Sequence, residues 1–413
     1  MGLFDKFHSL AANQRALVDS GVNPFNVVIE RLISATEAIV NGRRTILAGT
    51  NNYLGLTFDP QCIKAAKKAV QDQGTGTTGS RMANGTYAGH AALEREFADF
   101  FGYRSAIVFS TGYLANLGML SVLASRGDTI LVDAHCHASI YDGCRMGSAE
   151  IIRFRHNNVI DLEKRLQRLG EKTANTMILV EGIYSMLGDR APLADIVTLK
   201  QKYGAYLLVD EAHSLGVLGE HGRGLLEEAG VGDSMDFIIG TFSKSLGATG
   251  GFCVSNHPEL DLIRYASRPY IFTASPAPPV IASTRTALKI LETRPELRRR
   301  LWRNARHLYQ GLDDMGFSLG PEISPIVAVR LPSVKQAFVL WGNLLDRGVY
   351  VNLALPPATP DSASLVRCSV SAAHTQEQID YICKVFSDLR EDAIALDAQS
   401  TAVNSHLDVT SVS

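Results

Sequence analysis

Short apolar runs alternate with helix-length stretches of mixed polarity over most of the chain. The runs are Ala106–Phe109, Thr129–Val132, Met177–Val180, Tyr206–Val209, Phe237–Ile239 and Phe252–Val254. Runs of this length, separated by helical segments, predict βα units around a mostly parallel sheet. We therefore assign residues 46–283 to a large α/β domain. Residues 1–45 precede it as an arm, with amphipathic helical patches at Ala11–Ser20 and Val27–Ala38 and a turn at Asn23-Pro24. Residues 284–394 predict a smaller α/β domain. It has a charged helix (Glu296–Leu312) behind Pro295, strands at Ile326–Leu331 and Leu365–Val370, and a closing helix at Gln376–Leu389. The Ala/Ser/Thr/Val-rich tail, 395–413, is expected to fray.

The segments just past these runs are chemically rich. In order they are Ser110-Thr111-Gly112, Asp133-Ala134-His135, Glu181-Gly182, Asp210-Glu211-Ala212-His213 and Thr241-Phe242-Ser243-Lys244. Ligands of open α/β sheets bind outside the carboxyl ends of the strands. Hydroxyls, carboxylates, histidines and a lysine are thus predicted to converge on one edge.

Composition narrows the function. Of 413 residues, 46% are hydrophobic and 20% charged, which is globular rather than disordered. Lys+Arg number 40 against 42 Asp+Glu, a net charge of −2 that argues against nucleic acid as a partner. Six scattered cysteines without a CxxC pair suit neither a zinc ribbon nor a disulfide scaffold, so a reducing, cytoplasmic setting is expected. The longest apolar stretch, Tyr113–Ala124, falls short of the roughly 20 residues of a membrane span, and the start of the chain lacks a signal-peptide pattern.

Two motifs mislead. Gly74-Thr75-Gly76-Thr77-Thr78-Gly79 matches G-x-G-x-x-G, but it follows a helical segment (Ile63–Gln73) where the dinucleotide fingerprint needs a strand. Asp210-Glu211-Ala212-His213 resembles a helicase box, yet no phosphate loop of the type G-x-x-x-x-G-K-[ST] accompanies it. His135 and His137 lack a third ligand at regular spacing, so no metal is assigned.

Lys244 is the informative residue. It follows an apolar strand and is flanked by small and hydroxyl residues, a setting that desolvates an amine and makes it an imine-former. Asp210 lies 34 residues upstream at another strand end. A carboxylate there keeps a pyridine nitrogen protonated, so that pyridoxal 5′-phosphate acts as an electron sink. Thr241 and Ser243, with the backbone amides of Gly112 and Tyr113 opening a helix, suit a phosphate. His137 would stack on the ring and His213 would bond its phenolic oxygen. Taken singly, Asp210 equally suits a helix cap and His213 a core histidine. Together they predict a fold type I pyridoxal-phosphate enzyme with no metal.

Several segments resemble the α-oxoamine synthase family: Thr50–Gly55, Ser110–Asn116, His137-Ala138-Ser139, Val209–Ser214, Gly240–Lys244 and Gly250-Gly251. The likeness spans about residues 45–390. Arg145–His156, Gly182–Asp189, Arg268–Ser275 and Pro356-Pro357-Ala358-Thr359-Pro360 most resemble the bacterial members that condense L-serine with a long-chain acyl thioester. The resemblance implies a large domain with a mostly parallel sheet plus a smaller C-terminal domain. It implies a decarboxylative condensation giving 3-ketosphinganine, at the start of sphingolipid synthesis. It also implies a homodimer with shared active sites, in which Thr273 reaches the neighbour's cofactor phosphate. Ser185 joins the cofactor set, and Arg367 binds the amino-acid carboxylate with Asn52 nearby. The carrier is coenzyme A or acyl-carrier protein, and the lipidic product leaves a peripheral place at the inner membrane open. Two positions depart from those members: Leu355 stands where they carry Arg, and Asn51 where they carry an aromatic. Leu187 favours the serine-using branch. The alternatives are a relative that uses glycine or alanine with a shorter acyl-CoA, a silent partner subunit (which would lack the lysine) and an ordinary aminotransferase.

Overall fold

In a computed structural model, residues 27–356 and 358–391 are described, together with 2–8, 11, 15 and 24. β1 (Ile29–Leu32), β2 (Glu37–Val40) and β3 (Arg43–Leu47) form an antiparallel meander. The segment Val27–Ala38, expected to be helical, is therefore strand and turn. Its apolar residues are too few and too exposed to make a packed helix face, and β1 is exposed throughout. Of the Ala11–Ser20 patch only Ala11 and Arg15 are described, and the 395–413 tail lies outside the described residues.

The six expected apolar runs become β4 (Ser105–Phe109), β5 (Thr129–Asp133), β7 (Thr176–Glu181), β8 (Tyr206–Asp210), β9 (Phe237–Thr241) and β10 (Gly251–Ser255). A strand without such a run, β6 (Glu150–Phe154), completes a seven-stranded sheet in the order β4-β10-β9-β8-β7-β5-β6. The β5–β6, β5–β7, β7–β8 and β8–β9 pairs are parallel, and β10 runs antiparallel to both its neighbours. Helices cover both faces of a parallel sheet, so its inner strands are apolar on both sides. β5, β7 and β9 are buried at every position. The polar residues that end β7, β8 and β9 therefore share one rim. Because β10 is reversed, it brings its first residue, Gly251, to that rim, opposite Thr241.

A third sheet has the order β11-β12-β15-β14, from β11 (Ser318–Leu319), β12 (Ile326–Leu331), β14 (Asn352–Ala354) and β15 (Ser364–Ser369). A short strand, β13 (Val349–Tyr350), pairs in parallel with β3 and ties the N-terminal meander to this C-terminal region. The second core, around Leu308, Leu312, Val327, Trp341 and Phe386, lies under this sheet. The expected junctions at 45/46 and 283/284 fall inside β3 and inside the helix Pro278–Thr293, which packs along Pro60–Gln73. Among the described residues, no helix is long and apolar enough to cross a membrane.

Candidate active site

A cavity of about 270 Å³ opens at the carboxyl rim of the central sheet. Its walls include Gly112, His137, Glu181, Asp210, His213, Thr241 and Lys244. The Lys244 turn is built from beneath. Phe242 is wholly buried and stacks with Phe97 at 5.4 Å, which in turn stacks with Phe252 at 4.2 Å. Phe242 N–H donates to Gly250 O at 2.9 Å and Gly247 N–H to Lys244 O at 3.0 Å, closing the turn. Gly250 sits at φ +152, where a Cβ would come within 2.1 Å of the Phe242 ring, so only glycine fits. This aromatic stack holds Lys244 at the cavity wall. Desolvation brings its ammonium down to about 8, opposed by the carboxylates of Asp210 and Glu181.

Asp210 is the last residue of β8 and is 5% exposed. Asn116 Nδ2 donates to its Oδ2 at 2.8 Å and the Ala212 amide to its Oδ1 at 2.9 Å, which fixes the carboxylate plane. Glu181 ends the neighbouring strand. Burial, and then the Asp210 charge, push its carboxyl well above the usual range. Its Oε1 accepts from the backbone N–H of His137.

The helix Gly112–Leu123 points its N-terminus into the cavity. Thr111 caps it by accepting from Leu114 N–H at 3.0 Å, which leaves the first-turn amides of Gly112 and Tyr113 for a ligand. A Cβ on Gly112 would lie 2.7 Å from Thr241 Cβ, so glycine is needed for the helix to approach the Lys244 turn. Thr241 Oγ1 and Ser243 Oγ are 2.9 Å apart beside that helix end. Tyr113 also lines the cavity, is 43% exposed and bonds Asp142 through its hydroxyl. His137 caps the next helix, Ala138–Met146, with Nδ1 2.8 Å from Ser139 Oγ. Desolvation keeps its imidazole below the usual range, hence neutral and able to lie against an aromatic ring.

A second group of residues adjoins the cavity. His213 is buried and neutral, held well below its ordinary range by burial and then by the Lys244 charge. Its Nδ1 is 2.7 Å from Tyr53 Oη. Arg367, on β15, is 5% exposed, yet it has no carboxylate partner among the described residues. Its Nε donates to Ser185 O at 2.6 Å and its Nη1 to Ser369 Oγ at 3.0 Å, while Asn51 Oδ1 lies 3.3 Å from Nη2. Asn52 donates through Nδ2 to Thr57 Oγ1 at 2.7 Å, but its buried Oδ1 has no partner.

Of the twelve residues the sequence singles out, Gly112, Tyr113, His137, Asp210, His213, Thr241, Ser243 and Lys244 line the cavity together. Arg367, Asn52 and Ser185 are not in its wall. Arg367, which holds Ser185, is linked to His213 of the wall through Asn51 and Tyr53, whereas Asn52 bonds Thr57 and Ser371. Thr273, half-buried after the helix Arg268–Ile271, does not line the cavity of its own chain. Sequence reasoning assigned no role to Glu181 or Asn116. Glu181 carried a signal, since it ends an apolar run; Asn116 sits inside a helix and carried none. Glu211, inside the false helicase box, accepts from the Leu225 and Leu226 amides at 2.9 Å and so starts a short helix.

Pyridoxal phosphate suits this cavity. First-turn amides and two hydroxyls would suit its phosphate, a fixed carboxylate its ring nitrogen, and a desolvated amine stands in the same cavity wall. A family model described as aminotransferase class I and II matches residues 44–386. The chain is 59% identical over 389 residues to a serine palmitoyltransferase of Caulobacter vibrioides, covering 94% of this chain and 96% of that one. It is 53% identical over 387 residues to a serine palmitoyltransferase of Sphingomonas paucimobilis, covering 93% and 92%. A solved structure described as SPT with PLP superposes with a TM-score of 0.93 at 52% identity, covering 96% of this chain and 100% of that one. The cavity, its amine and its carboxylate thus sit in a fold shared along nearly the whole length, and the chain belongs to the class I and II aminotransferases, in their α-oxoamine synthase branch beside the bacterial serine palmitoyltransferases.

Proposed function

We propose that this chain carries out the serine palmitoyltransferase reaction, the decarboxylative condensation of L-serine with a long-chain acyl thioester to 3-ketosphinganine, carbon dioxide and a free thiol. The observation that carries the reading is Arg367, a buried cation left without a carboxylate next to a cavity with a desolvated lysine. An amino acid supplies the missing anion, and the guanidinium fork binds it at two points.

Bound in the cavity, pyridoxal phosphate supplies an electron sink for bonds broken at the substrate Cα. The rest falls to the protein. Lys244 Nζ would hold the cofactor and, freed, would remove the substrate's Cα proton. Asp210, oriented by Asn116, keeps the proton on the pyridine nitrogen. His137 would lie against the ring and His213 would bond its phenolic oxygen. Arg367 pins the serine carboxylate and so sets which Cα bond stands ready to break, with Asn52 Oδ1 as an unused acceptor nearby. Thr241, Ser243 and the Gly112 and Tyr113 amides hold the phosphate, and Ser185 orients Arg367 through its carbonyl.

The active unit in this reading is a homodimer. Thr273 stands outside its own cavity, on a segment bordered by exposed Tyr265 and Phe272, and reaches the neighbour's phosphate. The carrier of the acyl group is coenzyme A or acyl-carrier protein. The enzyme works in the cytoplasm, with a lipidic product suited to a peripheral place at the inner membrane.

Absorbance titration with L-serine, beside a long-chain acyl thioester assay, tests the reading. Serine shifts the spectrum, and R367A weakens serine binding by roughly 2–4 kcal/mol, the scale for removing one partner of a buried charge pair. Leu355 is only partly buried and packs on the C-terminal core, so L355R changes turnover modestly and serine binding little. A spectral response to glycine or alanine but not to serine overturns the substrate; unchanged serine affinity in R367A overturns the anchor.

A further inference from the structure

Behind the cavity, His156 lies between two buried carboxylates. Its Nδ1 is 2.8 Å from Asp133 Oδ1 and its Nε2 is 2.6 Å from Asp189 Oδ2. Both ring nitrogens face acceptors, so both donate and the ring is an imidazolium. His135 stacks on it at 3.9 Å, and Tyr184 meets it edge-on at 4.5 Å.

Each carboxylate belongs to a loop that serves the site. Asp133 ends β5 and also accepts from the His135 amide at 2.8 Å and the Asn157 amide at 2.9 Å, just ahead of His137. Asp189 closes the 183–190 loop: its carbonyl accepts from Tyr184 N–H at 2.9 Å, and Ile183 pairs with Arg190. Asn157 Nδ2 braces the same loop, donating to Asp189 Oδ2 at 3.0 Å and Arg190 O at 2.9 Å. Ser185, within this loop, supplies the carbonyl that holds Arg367 Nε at 2.6 Å.

We infer that His156 is a positioning residue for amino-acid binding, acting as an ionic clamp that fixes the 183–190 loop and, through Ser185 O, the aim of Arg367. The inference rests on Arg367 as the carboxylate anchor. His156 does not line the cavity, so the clamp changes affinity by geometry alone. The two hydrogen-bonded carboxylates outweigh desolvation and raise its imidazolium to about 9. The other groups facing it do not titrate against it at neutral pH. His135 is held neutral by burial and by the His156 charge, with Asp361 acting on it from the Pro-rich loop. Burial keeps the Tyr184 hydroxyl protonated. A group raised in the folded state is charged below its folded value, so the clamp is closed at neutral pH and opens as pH rises through about 9.

The experiment is a serine titration of the holoenzyme by absorbance, with wild-type, H156Q, D189N and R367A proteins, from pH 7.5 to 10. At pH 7.5, H156Q binds serine roughly tenfold more weakly, the scale on which a remote misplacement acts, while retaining its bound cofactor spectrum. D189N, which keeps the shape and loses one charge, shifts affinity in the same direction by less. The ratio of wild-type to H156Q affinity then falls toward one as pH rises past about 9; titration of serine's own amine is common to both proteins and cancels. A ratio that stays constant with pH, or H156Q affinity equal to wild type, overturns the clamp. Loss of serine binding in R367A with H156Q unaffected overturns the clamp alone, whereas unaffected R367A overturns the anchor on which it rests.

Discussion

Glu181 and Asp210 end adjacent parallel strands in direct register, so two carboxylates face one cavity side by side. Asp210 takes the hydrogen bonds from Asn116 and Ala212, while burial and the Asp210 charge push the Glu181 carboxyl up, toward its protonated form. With Glu181 pushed toward its protonated form, Asp210 is the carboxylate we propose opposite the pyridine nitrogen.

E181Q should therefore be nearly silent, since an amide mimics a protonated acid and still accepts from the His137 amide. E181A should lose roughly tenfold in cofactor affinity, because it leaves that buried donor unpaired at a cost of about 1–3 kcal/mol. Cofactor dissociation followed by absorbance separates the two variants. A severe loss in E181Q would show that the charged form is the working one.

Lys244 has to be neutral to react, and its ammonium titrates near 8. Uptake of pyridoxal phosphate by the apoenzyme should accelerate as pH rises through about 8 and level off above it, as read by stopped-flow absorbance. Borohydride should fix a pyridoxyl group on Lys244 in the wild type and on no residue in K244A. Trapping in K244A would move the attachment site elsewhere.

Shared sites make a specific prediction for mixed dimers. Pairing a K244A chain with a T273A chain puts both lesions in one site and leaves the other intact. The hybrid should then recover about half of wild-type activity per dimer, the intact site supplying it, although neither parent homodimer matches that. If Thr273 serves its own chain, the hybrid has no intact site, and activity should not exceed the T273A level.

His374 gives the fold an acid-sensitive point. Burial brings its imidazole down to about 4, and its Nδ1 accepts from Ser371 N–H at 2.9 Å. Protonation then favours the unfolded chain, so stability is whole above about pH 6.5 and drains as pH falls toward 4, by on the order of 3 kcal/mol. Urea midpoints measured at pH 7 and pH 5 should converge in H374Q. An equal acid loss in both proteins would assign it to other groups.

The rim of the central sheet was legible because buried strands leave continuous apolar runs, and the residues after those that run parallel lie at one edge; the run in β10 is reversed and reaches that edge at its start. Lys244, Asp210 and Glu181 are all found that way. β6 was not, because half-exposed Ile151 and Ile152 stand between exposed Glu150 and Arg153 and dilute the apolar signal of an edge strand. β1 failed for a related reason: a short exposed strand, Ile29–Leu32, carries no period that separates it from a helix. The surroundings of Arg367 were beyond any local pattern. Its partners Ser185 and Asn51 are separated from it by 182 and 316 residues, and only the folded chain brings them together.

Arg367 also bears on how the protein meets its substrate. A buried guanidinium without a counter-ion is half of an ion pair prepared in advance, and the free enzyme carries it as a standing electrostatic debt to folding. In the proposed reading, an amino acid settling against it would complete the interior of the protein. Substrate and stability are thereby joined, so that saturating carboxylate ligand should raise the melting temperature as a missing core side chain would, and do so through this single arginine.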